Sequence, residues 1–289
     1  MSNSPPALFQ KRDMNRTGRC LLCLETGPLT FEHIPPRRVF NHLPALAHTI
    51  YGMRVGGKHA KDPVLLEGKR GLGRVALCKS CNGKTASWYG DAFADWTAQC
   101  LRYSTRISAG NRILLPFQIQ PLNVIKQIAT MLVAVSGLDT DSSSLGELRR
   151  FILSPRRVYL PDEIVISAYL NPTDPARSTT PLLTQNRLTE SCGVLDVGCG
   201  ASVLVIGEVA FPPMGYVAYS RVPNQLVSPD FTQLCDLRLF SSRTYNFSES
   251  FHLRLPVRIP FGPVPGYYPQ IKSGQTKFLP DSRVLLTHK

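Results

Sequence analysis

The sequence predicts an α+β protein: a metal-stapled N-terminal module followed by an α+β region with an antiparallel sheet. Three observations predict it. Two C-x-x-C pairs stand in the first third, at Cys20/Cys23 and Cys78/Cys81. Two stretches in the middle carry apolar residues at helical spacing. The second half is a series of short apolar or alternating runs punctuated by Gly, Pro and Asn, which is strand patterning.

The 289 residues suffice for one large domain or two ordinary ones, and a hydrophobic content of 43 % with 18 % charged residues describes a packed globular chain. No run reaches the roughly 18 apolar residues of a membrane span. The start, Met1 to Arg12, is polar and lacks an apolar segment, so the expectation is a cytoplasmic protein. Residues 1–17 read as an arm, 18–104 as the metal-stapled domain, 105–120 as a linker, and 121–289 as an α+β domain of unassigned role, suited to targeting, sensing or assembly with a partner protein or a second copy.

Each C-x-x-C pair suits a tight knuckle that presents two thiolates to one ion, and two knuckles complete the tetrahedron preferred by Zn²⁺. Cys20, Cys23, Cys78 and Cys81 are therefore the expected zinc ligands. Four thiolates leave no open coordination position, so this zinc is structural. The 54 residues between the pairs must fold out from the staple. Cys100, Cys192, Cys199 and Cys235 are read as ordinary buried thiols.

The run Lys84–Tyr103 predicts a helix, with Trp88, Ala92, Phe93, Trp96, Cys100 and Tyr103 on one stripe. A turn at 108–111 and a breaker at Pro116 define the linker. Pro121 opens a second helix whose face holds Val124, Ile125, Ile128, Ala129, Leu132 and Val133, with Gly137 as its stop. A shorter helix is expected over Gly146–Leu153. Strands are expected at Glu163–Leu170, Ala201–Phe211, Gly215–Ser220, Cys235–Phe240 and Phe251–Ile259.

The net charge of +13 is an electrostatic footprint for nucleic acid, whose bound counterions are released by a basic protein. It also suits solubility or an anionic surface. Residues 1–100 carry 14 Lys/Arg against 7 Asp/Glu, so the excess is densest there. Arg37 and Arg38 are either phosphate contacts or a solvated face. The glycine-rich insertion Arg54–Arg74, with Lys58, Lys61, Lys69 and Arg70, is either a mobile surface loop or a basic loop that orders on a duplex backbone. Lys84 or Arg37 would neutralise phosphate oxygens.

If the knuckles meet, they draw together the segments carrying Glu32-His33 and Asn82. A hard divalent cation prefers oxygen ligands such as a carboxylate and an amide. A neutral imidazole accepts a proton near pH 7. Asn82 is equally a favoured N-cap for a following helix.

The order Cys20-Leu21-Leu22-Cys23, then Glu32-His33-Ile34-Pro35-Pro36, then Cys78-Lys79-Ser80-Cys81-Asn82 resembles the HNH endonucleases with a zinc-bound ββα-metal fold. The resemblance covers residues 18–104. It implies a catalytic Mg²⁺ or similar ion on Glu32 and Asn82, His33 as general base, and hydrolysis of DNA, more than RNA, to a 5′-phosphate and a 3′-hydroxyl. It also implies a setting in phage defence or mobile elements. Two departures stand out. Gly73 occupies the position where many members carry a middle Asn that orients the base, and the insertion between the half-sites is long. A zinc-stapled nucleic-acid-binding module without hydrolysis, or an interaction platform for a protein partner, are the other readings.

Overall fold

A computed structural model describes residues 16–39, 41–42, 45–48, 65–68, 71–104, 112–139, 142–171, 177–179, 182–187, 200–220 and 234–257. Strand β1 (Thr17–Arg19) pairs antiparallel with β2 (Thr26–His33), and β2 pairs antiparallel with β5 (Gly73–Cys78), giving a three-stranded sheet in the order β1-β2-β5. The insertion between them holds a two-stranded ribbon, β3 (Ala45–His48) with β4 (Leu65–Gly68). Helix α1 (Lys79–Ser104) leaves β5 without a loop.

The helix starts five residues earlier than its apolar stripe suggested, so the second cysteine pair lies at the strand–helix junction. Its buried face runs through Cys81, Thr85, Tyr89, Ala92, Phe93, Trp96 and Cys100 at spacings of three and four. Tyr89 takes the place expected for Trp88, which is only half buried.

The interval read as a linker carries a strand. Residues Arg112–Ile119 form β6, which pairs over eight residues with β13 (Glu249–Pro256). Leu115, Phe117 and Ile119 turn inward with Phe251, Leu253 and Leu255. Pro116, read as a breaker, faces outward in a two-stranded ribbon, where a missing N–H is tolerated.

Helix α2 (Pro121–Ser136) has Pro121 in its first turn and closes on Gly137 at φ 67°, as expected. All sixteen of its residues are buried, making it the central post of the molecule. Helix α3 (Ser143–Leu153) is capped by Ser142, whose hydroxyl accepts the Leu145 N–H. The antiparallel sheet of the second half has six strands: β7 (Ile164–Leu170), β8 (Arg177–Thr179), β9 (Leu182–Arg187), β10 (Gly200–Phe211), β11 (Met214–Ser220) and β12 (Cys235–Asp236). Their order is β12-β7-β11-β10-β8, with β9 also on β10. The strand expected over Cys235–Phe240 stops at Asp236. The Asp236 carboxylate accepts the Arg238 N–H and starts the short helix α4 (Arg238–Ser241).

One buried apolar cluster runs from Cys20 to Val257. The Trp96 indole of α1 donates to the Tyr216 hydroxyl of β11 at 2.7 Å, with both side chains buried. Among the described residues no helix is long and apolar enough to cross a membrane.

Candidate metal centre and the Glu32–His33 segment

Residues 20–25 form a tight knuckle. The Cys20 N–H donates to the Glu25 carbonyl, the Leu24 N–H donates back to the Cys20 carbonyl, and Leu24 closes the turn at φ 63°. The second pair lies where β5 enters α1. Cys78 N–H points at the Cys20 sulfur, 3.3 Å away, and Cys81 N–H at the Cys78 sulfur, 3.5 Å away.

All four sulfurs lie within 4.8 Å of one another, and Cys23 Sγ stands 3.9 Å from Cys78 Sγ. Sulfurs bound tetrahedrally at about 2.3 Å from zinc are separated by about 3.8 Å. The set therefore has the donor type, number and spacing for Zn²⁺ or a similar thiophilic ion. Crowding also polarises the thiols. Hydrogen bonding from Cys81, supported by backbone N–H groups, draws Cys20 down to about 4, against the opposing effect of burial. Cys81 is pushed up by the neighbouring Cys20, and Cys23 by burial. A bound cation would displace the remaining protons.

Strand β2 runs from this knuckle to Glu32 and His33. Glu32 stands opposite Arg74 and His33 opposite Gly73. Glu32 is 6 % exposed, and burial pushes its carboxyl up to about 8. No donor or cation among the described residues reaches that carboxyl. Arg74, its cross-strand neighbour, instead sends its guanidinium to the Val135 carbonyl at the end of α2, 2.9 Å away. Arg74, counted with the basic insertion in the sequence, is thus a buried residue of β5. A buried carboxyl without a donor is costly as an anion and suits a bound cation.

His33 is half buried and meets the Phe31 ring edge-on at 5.0 Å. Successive strand side chains point to opposite faces, so Glu32 and His33 diverge. Asn82 lies within the first turn of α1 rather than at an N-cap, since the helix begins at Lys79. Its amide N–H donates to the Thr30 hydroxyl at 3.0 Å and to the Phe31 carbonyl at 3.3 Å. The Asn82 amide oxygen accepts nothing among the described residues, which leaves an oxygen donor beside the peptide unit that carries Glu32.

Gly73 has a steric reason. A Cβ there would stand 2.7 Å from the Phe31 ring and closer still to the Glu32 carbonyl, so Asn does not fit. A different amide braces this end of the strand pair. Asn41, fully buried, donates to the carbonyls of Pro35 (2.6 Å) and Leu72 (2.7 Å) and accepts the Leu72 N–H (2.6 Å). Sequence reasoning gave Asn41 no role, because its partners are backbone groups and spacing carries no signal for them.

Arg37 is exposed, and Arg38 pairs with Asp91 on α1. Lys84 is exposed on α1. Lys58, Lys61, Lys69 and Arg70 lie outside the described residues. Comparison with family models, with curated proteins and with solved structures finds no match to the chain.

Proposed function

We propose that the protein is a divalent-metal-dependent DNA endonuclease stapled by a structural zinc at Cys20, Cys23, Cys78 and Cys81. The observation that carries this reading is the bond from Asn82 to the Phe31 carbonyl. It holds the Asn82 amide against the peptide unit that leads into Glu32, one residue from the four clustered thiols. Two antiparallel strands, β2 and β5, followed directly by α1 support it. That is the order of a ββα arrangement, with the acid and the base at the strand end and the amide on the helix.

In this reading Glu32 and the Asn82 amide oxygen hold a hard cation such as Mg²⁺. The cation supplies stabilisation of charge on the phosphorane and the leaving 3′ oxygen. His33, as the neutral imidazole, takes the proton from the attacking water. Lys84 and Arg37, both exposed, are available to non-bridging phosphate oxygens. A setting in phage defence or mobile elements, and a cytoplasmic location, belong to the same proposal.

The burial of Glu32 favours a second reading, a DNA-binding module without hydrolysis. A carboxyl that titrates near 8 is largely protonated at neutral pH unless a cation draws it down. Plasmid cleavage measured over a panel of divalent ions, with zinc content checked, separates the two. Cleavage that requires Mg²⁺ or Mn²⁺ supports the nuclease, and DNA retention without cleavage under any ion supports the second.

A further inference from the structure

A cleft of about 520 Å³ opens between the first cysteine knuckle and helix α3. One wall is Leu22 to Leu24. The other is a single stripe of α3 and the turn after it, from which Arg149, Arg150 and Arg157 line the space. Gly146, on the same stripe, contributes no side chain. Among the described residues three arginines line the cleft and no acidic residue does.

The three arginines have different jobs. Arg149 is buried and donates to the carbonyls of Leu21 and Leu138, both at 2.8 Å, so it fastens α3 to the knuckle. Arg150 and Arg157 are 63 % and 36 % exposed, and they share Glu147. One carboxylate oxygen takes Arg150 and the other takes Arg157. Two guanidinium groups therefore bracket one oxyanion, each on a separate oxygen. A phosphodiester presents the same pair of oxygens, and Arg matches either group by its fork. A guanidinium has five N–H donors, so one bond to Glu147 leaves each arginine able to bind a second anion. The Arg157 Nε–H is buried and meets no acceptor among the described residues.

We infer that this cleft grips a backbone phosphate of bound DNA, away from the bond that is cut. The identity of the ligand rests on the nuclease reading; the anion-binding chemistry does not. Because Arg150 and Arg157 belong to α3 and the turn after it, the cleft gives the second half of the chain a part in substrate binding.

The test is binding of a labelled DNA duplex to the full-length protein without Mg²⁺, from about 50 to 200 mM salt, the range over which phosphate contacts dominate affinity. Arg150→Ala with Arg157→Ala is expected to make the slope of log K against log salt shallower by up to about 1.8, two contacts at about 0.9 each. Glu147→Gln releases both guanidinium groups and is expected to tighten binding, a change of sign that loss of fold does not produce. Wild-type slope and affinity in both variants would overturn the assignment. So would a wild type that ignores DNA and instead binds phosphatidylserine vesicles through Arg150. If the arginines govern DNA binding but no divalent ion supports cleavage, the cleft stands and the nuclease reading falls.

Discussion

The side-chain amide of Asn41 pairs with the backbone of Leu72 as a neighbouring strand would, donating to its carbonyl at 2.7 Å and accepting its N–H at 2.6 Å. Its second amide hydrogen reaches Pro35, two residues beyond His33. Gly71, at φ 94°, lets the Asn41 backbone come close enough for this. One buried side chain thus ties the segment leaving His33 to the start of β5. Asn41→Ala leaves the Pro35 carbonyl and the Leu72 N–H without partners, while the Leu72 carbonyl keeps the Ile34 N–H; a loss of about 2 kcal/mol is expected. Chemical denaturation measures it. In the nuclease reading, kcat should fall more than KM rises, because the mutation loosens the base and leaves the phosphate contacts.

Zinc content and stability should fall together when the cluster is broken. Cys20→Ser and Cys81→Ser each remove one of four donors, and structural zinc contributes directly to folding free energy. Elemental analysis of the wild type should give about one zinc per chain, and both variants should melt lower. Wild-type melting in zinc-free variants would refute a structural metal.

His33 and Glu32 should separate by their response to metal. His33→Ala removes a proton acceptor and no zinc ligand, so fold, zinc content and DNA binding should persist. Cleavage should drop by roughly 10² to 10⁴, the usual worth of a general base. Glu32→Ala should also cut poorly but recover in part at high Mg²⁺. Cleavage rate against Mg²⁺ concentration for both variants checks this, and full activity in His33→Ala would sink the mechanism.

Lys126 gives a pH dependence outside the candidate site. It is fully buried, with its ammonium donating to the Phe151 and Ser154 carbonyls and lying 4.4 Å from the Phe151 ring. Burial, helped by Arg157, pulls it from 10.5 down to about 7. Between these values the unfolded chain binds the proton and the folded chain does not, so stability rises with pH from about 7 to 10.5, and that gain is lost as pH falls from 10.5 to about 7. Lys126→Met should flatten the rise in melting temperature across that window. An unchanged pH profile would place the titration elsewhere.

The cysteine cluster was legible because C-x-x-C spacing is itself the geometry of a knuckle. Helix α2 was legible because Pro121 and Gly137 mark its ends and its apolar face repeats at helical spacing. Strand β6 was not, because Pro116 looks like a breaker until its partner β13, more than a hundred residues away, shows which face it occupies. Arg74 read as surface charge because its acceptor, the Val135 carbonyl, is a backbone atom distant in sequence. The arginine cleft was hidden for the same reason. Arg149, Arg150 and Arg157 meet Leu22 and Leu24 only after the knuckle and α3 have docked.

The Trp96–Tyr216 bond has a consequence for portability. The N-terminal third that carries the two cysteine pairs does not own its interior: Tyr89, Phe93 and Trp96 are covered by residues of α2, α3 and the later strands. Excised at residue 104, that third would keep its knuckles but lose the lid over its largest aromatic side chains. It is not a cassette to be moved between proteins.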